Sequence, residues 1–147
     1  MGSDCSICTG KADQDFRRIE VWSNERWRLT MSTYRMVRGF CYLEPIKHVP
    51  QVADLEGKEA EEFGPVISRT ARAIKAATGA KLVYVYIFGD HIPHLHVHLA
   101  PHADGDVFVD DVIKAGVKPD ERTMGQEELI PLSKAISDGM DTLPKGP

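Results

Sequence analysis

Histidine is concentrated in one short window of this sequence. Five of the six histidines lie between His91 and His102, and the sixth, His48, stands alone. The neutral imidazole can act as a nucleophile, a general base or a metal ligand near pH 7. The segment from His91 to His102 is therefore where we expect the chemistry of the protein to take place.

Three of these histidines alternate with apolar residues across the segment 94–99. Successive side chains of a β-strand point to opposite faces, so the alternation predicts a strand with His94, His96 and His98 on one face. The Cα atoms of His94 and His98 would lie about 13–14 Å apart on such a strand, whereas metal–nitrogen bonds are about 2.0–2.1 Å long. One ion shared by all three histidines would strain the strand, so divided roles are the favoured interpretation.

The N-terminal region carries a second group of reactive side chains. Cys5 and Cys8 form a Cys-x-x-Cys pair, and Cys41 lies in an apolar segment, where it is interpreted as a core residue. An odd number of cysteines without a secretory leader pattern argues against a disulfide framework. The pair itself is compatible with a redox site, with zinc binding or with coincidence. Its polar surroundings, with no strand before it, weigh against the redox interpretation.

Strand patterns precede and follow a long helical segment. Residues 19–22 and 27–31 predict a hairpin, and residues 40–43 predict a third strand that Pro45 ends. Apolar residues occupy both faces of the segment 81–88, which predicts a buried central strand. With the histidine strand this makes five strands, so the functional side chains are expected to lie on a sheet.

Two helices are predicted. The first runs from an N-cap at Asp54 to a closing glycine at Gly79. Pro65 inside this segment predicts a kink or a division into two helices. A last helix begins at Pro131 and carries apolar residues at helical spacing up to Met140.

The composition excludes several classes of protein. With 147 residues, 42% of them hydrophobic and 27% charged, the chain is expected to form one globular domain. No apolar run reaches the roughly 20 residues that cross a bilayer, so no membrane partner and a cytoplasmic location are expected. The net charge of −4 argues against duplex nucleic acid as the main partner, and it leaves room for a compact polyanion in a local pocket.

The segment 94–100 resembles the signature of the histidine triad (HIT) family, in which three histidines alternate with apolar residues. The run from Pro45 to Val49, followed by a helix, is similar to the family's segment upstream of the signature. The resemblance extends from Cys5 to about His102. Within the family, the sequence resembles the zinc-binding Cys-x-x-Cys subset of prokaryotic-type nucleotide hydrolases.

The resemblance implies an α+β fold in which an antiparallel sheet of about five strands carries a long helix packed on it. The whole chain, 1–147, is then a single HIT-like domain, with a motif-bearing core at about 5–102 and a C-terminal extension at 103–147. Members of the family are usually homodimers that bind nucleotides. A homodimer and a nucleotide substrate are therefore expected.

The middle histidine of the family signature is the nucleophile, and it falls on His96. The resemblance implies that His96 attacks the α-phosphorus of a nucleoside phosphate derivative, forming a covalent nucleotidyl-histidine that water then resolves. His98 is expected to donate to phosphate oxygens, with His94 flanking the same phosphate. Related transferases carry glutamine at the position of His98, so this histidine favours hydrolysis over transfer. His91 and His102 are interpreted as bystanders.

In the Cys-x-x-Cys subset, two cysteines, the histidine after the Pro-x-x segment and the first signature histidine bind a structural zinc ion. These positions match, in order, Cys5, Cys8, His48 and His94. A closed Cys2His2 site would tie the N-terminus to the core and hold His94 two residues before the nucleophile. The alternative is a polar terminus with two free thiols and His48 on the surface. No organic cofactor is implied.

The sequence leaves several functions open. The favoured one is a hydrolase acting on dinucleoside polyphosphates or nucleoside phosphoramidates. A nucleotide-binding or interaction protein of the same fold with little catalysis is one alternative, and a nucleotidyl transferase is another. A metal-dependent enzyme that uses the histidine cluster as a catalytic metal site is a further possibility raised by the cluster alone.

Overall fold

The computed structural model describes residues 4–104 and 122–142. Most of the predicted C-terminal extension before residue 122 therefore lies outside the described residues. Within them, the chain forms an α+β fold in which two helices pack on one face of a five-stranded antiparallel sheet. The strands are β1 (Arg18–Ser23), β2 (Trp27–Ser32), β3 (Cys41–Pro45), β4 (Leu82–Tyr86) and β5 (Val97–His102), in the spatial order β1-β2-β3-β5-β4.

The predicted hairpin is confirmed, and its turn has a local cause. The side-chain oxygen of Asn24 accepts hydrogen bonds from the backbone N–H groups of Arg26 and Trp27, at 2.9 and 2.8 Å. Asparagine favours turns because its side chain can bond to backbone N–H groups two or three residues ahead. The chain therefore reverses between β1 and β2, which pair in antiparallel register.

The N-terminus is more ordered than its polar sequence indicated. It forms two short helices, α1 (Ser6–Thr9) and α2 (Lys11–Asp15). Gly10 lies between them in the left-handed region, with φ 84°, which lets the chain change direction at low cost. Cys5 is the N-cap of α1 and Cys8 lies within it, so this helix positions both cysteines.

Helix α3 (Gly57–Thr78) runs without interruption through Pro65, so of the two predicted outcomes, a kink or a division, the division into two helices is wrong. The proline removes one intrahelical hydrogen bond, but the helix buries an apolar stripe against the sheet, and that packing holds the helix together. The helix begins after Glu56 rather than Asp54, which lies in a 3₁₀ turn. It ends at Gly79 in the left-handed conformation, as predicted.

Helix α4 (Gln126–Thr142) begins five residues before the predicted start at Pro131. Of its predicted apolar stripe, Leu132, Ile136 and Met140 are buried and Ala135 is exposed, and the buried Leu129 extends the stripe toward the N-terminus. The helix packs against α3 and β1 and contributes to the main core. The described end of the chain is therefore part of the domain's core rather than an appendage.

The prediction of a buried central strand at 81–88 is wrong. Among the described residues β4 is an edge strand, paired only with β5. Several of its apolar side chains are exposed, among them Val85, and Phe88 just beyond the strand is 63% exposed. An apolar pattern on both faces predicts burial of both faces, but it does not say whether the covering surface belongs to the same chain.

Gly139 in α4 provides a test of how closely the two long helices pack. A Cβ atom at Gly139 would lie 2.9 Å from the Cβ of Ala73 in α3 and 3.2 Å from its Cα. We expect Gly139→Ala to lower the free energy of unfolding by about 1–3 kcal/mol, because the helices must separate to admit the methyl group. Gly64→Ala is the control, since nothing lies within 4 Å of a Cβ there and alanine favours the helix by about 1 kcal/mol. Urea denaturation measures both, and equal effects of the two variants would contradict the prediction.

Candidate active site and metal centre

Four potential metal ligands converge from three separate parts of the chain. Cys5 and Cys8 flank the first turn of α1, His48 follows β3, and His94 precedes β5. Their donor atoms all lie within 4.8 Å of one another. The ring Nδ1 of His94 is 3.4 Å from each cysteine sulfur, and the Nδ1 of His48 is 3.3 Å from the sulfur of Cys8.

These separations fit a tetrahedral zinc ion. Zinc–sulfur bonds of about 2.3 Å and zinc–nitrogen bonds of about 2.0–2.1 Å place sulfur and nitrogen about 3.6 Å apart in a tetrahedron. The other ring nitrogen of His94, Nε2, donates to the carbonyl oxygen of Pro45 at 2.8 Å. A hydrogen bond of this kind fixes the ring tautomer and directs Nδ1 toward the metal position. The residues present therefore fit the zinc ion that the family resemblance implies.

Binding of a divalent cation at this cluster would require the thiols to lose their protons. Partial desolvation and the neighbouring Cys5 raise the pKa of the Cys8 thiol, although the residue as a whole is exposed. Burial lowers the pKa of His94, so its ring is neutral near pH 7, which is the form that binds zinc. Two adjacent sulfurs resist ionising together, and a divalent cation removes that resistance.

His96 is held in one tautomer by the backbone. Its Nδ1 lies 2.7 Å from the carbonyl oxygen of His94, and the residue is only 9% exposed. Because a carbonyl oxygen can only accept, Nδ1 carries a proton, and in the neutral ring Nε2 keeps its lone pair. In its neutral form, an imidazole fixed in this way can act as a nucleophile through Nε2.

His98 lies in an aromatic surround. The ring of Tyr86 stacks on it with centroids 4.7 Å apart, and Tyr42 meets it edge-on at 5.5 Å. Phe40 and Phe88 lie at centroid distances of 5.9 and 5.8 Å. Burial among these rings lowers the pKa of His98 to about 4, so it is neutral near pH 7. A neutral imidazole offers one N–H donor.

The signature histidines do not share one strand face as predicted. Strand β5 begins at Val97, and the chain bends before it, where the backbone N–H of His94 bonds to the carbonyl of Ile92. The bend turns the His94 ring toward His48, with ring centroids 5.1 Å apart. The rings of His96 and His98 stay adjacent, at 5.0 Å. Four of the histidines thus divide into one pair at the cysteine cluster, His48 and His94, and a second pair, His96 and His98.

The remaining candidates lie where the sequence placed them. His91 is exposed, and His102 contacts Tyr84 at a centroid distance of 5.1 Å, outside both histidine pairs. Cys41 is fully buried in the main core, which confirms its interpretation as a core residue.

Sequence reasoning missed the residues that surround the histidines. Tyr42 could have been found, because it alternates with two core residues of β3 and must face the opposite side of the sheet. Arg18 and Glu44 carried no signal, since their burial depends on pairing with each other across 26 residues. The carbonyl groups of Pro45 and His94 are likewise invisible in a sequence.

Comparison with known proteins gives one clear result. No protein-family model and no curated protein matches this chain. Among solved structures, a histidine triad protein from Bradyrhizobium japonicum aligns over 88% of this chain and 94% of its own, with a TM-score of 0.76 and 18% identity. The chain has the histidine triad fold.

Two further solved structures of histidine triad proteins have the same fold as this chain. A zinc-bound histidine triad family protein from Mycobacterium smegmatis covers 97% of this chain and 99% of its own, with a TM-score of 0.69 and 20% identity. A hypothetical histidine triad nucleotide-binding protein from Sulfolobus tokodaii covers 93% and 92%, with a TM-score of 0.68 and 21% identity. The predicted fold class is therefore confirmed. No helix within residues 4–104 and 122–142 is long and apolar enough to cross a bilayer.

Proposed function

We propose that this protein is a histidine triad nucleotide hydrolase in which His96 is the nucleophile. The observation that carries the proposal is the hydrogen bond from His96 Nδ1 to the carbonyl of His94. It leaves Nε2 as a lone-pair donor, directly beside the neutral ring of His98. The histidine triad fold, which includes a structure described as nucleotide-binding, supports a nucleotide as the substrate.

The reaction has two displacement steps. The lone pair of His96 Nε2 forms a bond to the α-phosphorus, while the bond to the leaving group breaks and the leaving group departs with the electron pair and gains a proton. The positive charge that develops on the ring is stabilised by the carbonyl of His94, which accepts from Nδ1. Water then attacks phosphorus and gives up a proton to solvent, while the phosphorus–nitrogen bond breaks and its electrons return to Nε2.

His98 is the residue that we assign to the phosphate oxygens. Both ring nitrogens of His94 are engaged, one in the cysteine cluster and one with the Pro45 carbonyl, so His94 has no donor left for phosphate. His98 adjoins the nucleophile and can donate one N–H as negative charge develops on the phosphoryl group. Histidine at this position favours water as the acceptor over a second phosphate.

We also propose that Cys5, Cys8, His48 and His94 hold a structural zinc ion. Four protein ligands form a closed set with no coordination position for water or substrate, which favours a structural over a catalytic metal. When bound, the ion supplies a cross-link between α1 and the segment that carries the nucleophile. The zinc-bound Mycobacterium smegmatis structure supports this assignment.

A substrate panel with an adduct trap tests the proposed function. Zinc-loaded protein is mixed with adenosine phosphoramidate, dinucleoside polyphosphates and an aminoacyl adenylate, quenched within milliseconds, and analysed by intact-protein and peptide mass spectrometry. We expect nucleoside monophosphate to be released and a nucleotide adduct to map to His96. Tight binding of the nucleotides with neither product nor adduct would instead indicate a binding protein of the same fold.

The exposed edge strand supports a homodimer. Antiparallel pairing of β4 with the β4 of a second copy would continue the sheet and cover the exposed apolar side chains of β4. We expect Val85→Glu to convert a species of twice the chain mass to a monomer in analytical ultracentrifugation. Ile130→Glu, at an apolar residue on α4 that is 59% exposed against 43% for Val85, should leave the dimer intact. A wild-type monomer, or a dimer in both variants, would contradict this arrangement.

A further inference from the structure

A buried arginine lies on the histidine side of the sheet. The side chain of Arg18 is 1% exposed, as is that of Glu44, and the two form a bidentate pair with nitrogen–oxygen distances of 2.9 Å. The Nε of Arg18 also donates to Asp13 of α2 at 2.8 Å. A buried ion pair is weak evidence for stability, because apolar residues of similar volume often stabilise a fold as well or better. The pair therefore invites a functional explanation.

The contacts of Arg18 lead directly to the proposed phosphate-binding histidine. Its guanidinium carbon lies 5.2 Å from the ring centroid of Tyr42, a cation–π distance. Phe16, two residues before Arg18, stacks on the same ring with centroids 6.0 Å apart. Tyr42 pairs with His98 in the register of β3 and β5, and its ring meets the imidazole edge-on. Arg18 and Phe16 thus hold Tyr42 in contact with His98.

The end of β3 connects this arginine to both pairs of histidines. Tyr42 contacts His98, Glu44 holds Arg18, and the carbonyl of Pro45 accepts from His94. All three residues belong to one short strand. A shift of Glu44 is therefore expected to displace both His98, the proposed phosphate contact, and His94, the proposed metal ligand.

We propose that Arg18 is a positioning residue that acts on His98 through the ring of Tyr42. Glu44 and Asp13 hold the guanidinium, the guanidinium and Phe16 hold the tyrosine, and the tyrosine fixes the imidazole that receives the phosphoryl oxygens. The kinetic part of this inference rests on the proposed function. The effect of Arg18 on the position and pKa of His98 does not depend on the proposed function.

The charge of Arg18 also affects the pKa of His98 directly. The positive charge of Arg18 contributes to the lowered pKa of His98, after burial and the neighbouring His96. The other titratable groups facing His98 are the phenols of Tyr42 and Tyr86, whose pKa values burial raises, so both are neutral near pH 7. Removing the Arg18 charge should therefore raise the pH at which His98 titrates.

The test compares Arg18→Met with Arg26→Met in the zinc-loaded protein. Methionine keeps most of the volume and removes the charge, while Arg28 stays within hydrogen-bond distance of Glu44 and Asp13. Arg26 is the matched control because it forms a bidentate pair with Glu62 on α3, away from the histidines. Imidazole NMR of His98, its titration midpoint, zinc content, kcat and KM are measured for each.

We expect Arg18→Met to bind one zinc ion, to shift the His98 resonances and to raise their titration midpoint. Its kcat should fall about tenfold to a hundredfold with KM changed less than about threefold, because misplacement of a positioned group by about 1 Å has an effect of that order. Arg26→Met should match wild type. Arg18→Lys, which keeps the charge and loses the planar fork, should recover the titration midpoint more fully than kcat.

Tyr42→Leu extends the test to the connecting ring. If Arg18 acts through Tyr42, Tyr42→Leu has the same effect on kcat and the double variant is no worse than either single variant. Tyr42→Leu also carries the test if Arg18→Met does not fold. The proposal would be overturned if the folded variants keep the His98 resonances at their wild-type positions and a kcat within about twofold of wild type. If wild type turns over no substrate, the proposed function fails, and the His98 spectra still decide whether Arg18 positions it.

Discussion

Replacing His96 with alanine is expected to lower kcat by at least about 10⁴-fold, with nucleotide affinity within about threefold of wild type. The reason is that the variant loses the lone pair that forms the covalent bond, while the groups around the phosphate remain. No neighbouring side chain can substitute. Both nitrogens of His94 are engaged, and the ring of His98 is enclosed by aromatic rings.

The measurement requires a binding readout beside the rate. Single-turnover kinetics give the chemical step, and isothermal titration with a non-hydrolysable nucleotide analogue gives the affinity. His91→Ala is the control, because His91 is exposed and outside both histidine pairs. A rate in His96→Ala within tenfold of wild type would remove His96 from the chemistry, and a lost affinity would place it in substrate binding instead.

The fold could be predicted from local signals where a local pattern determines the structure. The hairpin between β1 and β2 and the end of α3 at Gly79 depend on neighbouring residues only, and both are present. The division of α3 at Pro65 was wrong because tertiary packing along the helix outweighs one missing hydrogen bond. The central position of β4 was wrong because apolar residues on both faces do not identify the surface that covers them.

At the site, residue types were predictable and geometry was not. The four residues proposed from the resemblance as zinc ligands do converge. The alternation of the signature predicted one strand face for all three histidines, yet the chain bends before Val97 and separates them. The tautomer of His96 depends on a backbone carbonyl, and every residue has one. Arg18 is buried only because Glu44 and Asp13 are folded against it.

Removing the proposed zinc ion should affect both stability and catalysis, since His94 serves two purposes. Its side chain lies in the cysteine cluster, and its carbonyl oxygen orients the nucleophile. We expect Cys8→Ser to lose stoichiometric zinc and to lower the free energy of unfolding by about 4 kcal/mol when free zinc is about a thousandfold above the dissociation constant of wild type. The kcat should fall at least about tenfold, because the carbonyl that holds His96 is no longer anchored.

Cys41→Ala separates loss of stability from loss of the anchor. Cys41 is fully buried in the core and is not one of the four proposed zinc ligands. Cys8 is exposed, so its replacement removes little packing. Cys41→Ala should lower the melting temperature while keeping one zinc ion and wild-type kcat below that temperature. Zinc content by atomic emission, calorimetry and kcat at 25 °C measure the difference. If Cys8→Ser loses zinc and keeps full kcat, the metal anchors only the N-terminus. In that case the orientation of His96 depends on the bend before β5 and on the bond from the Leu95 amide to the Val49 carbonyl.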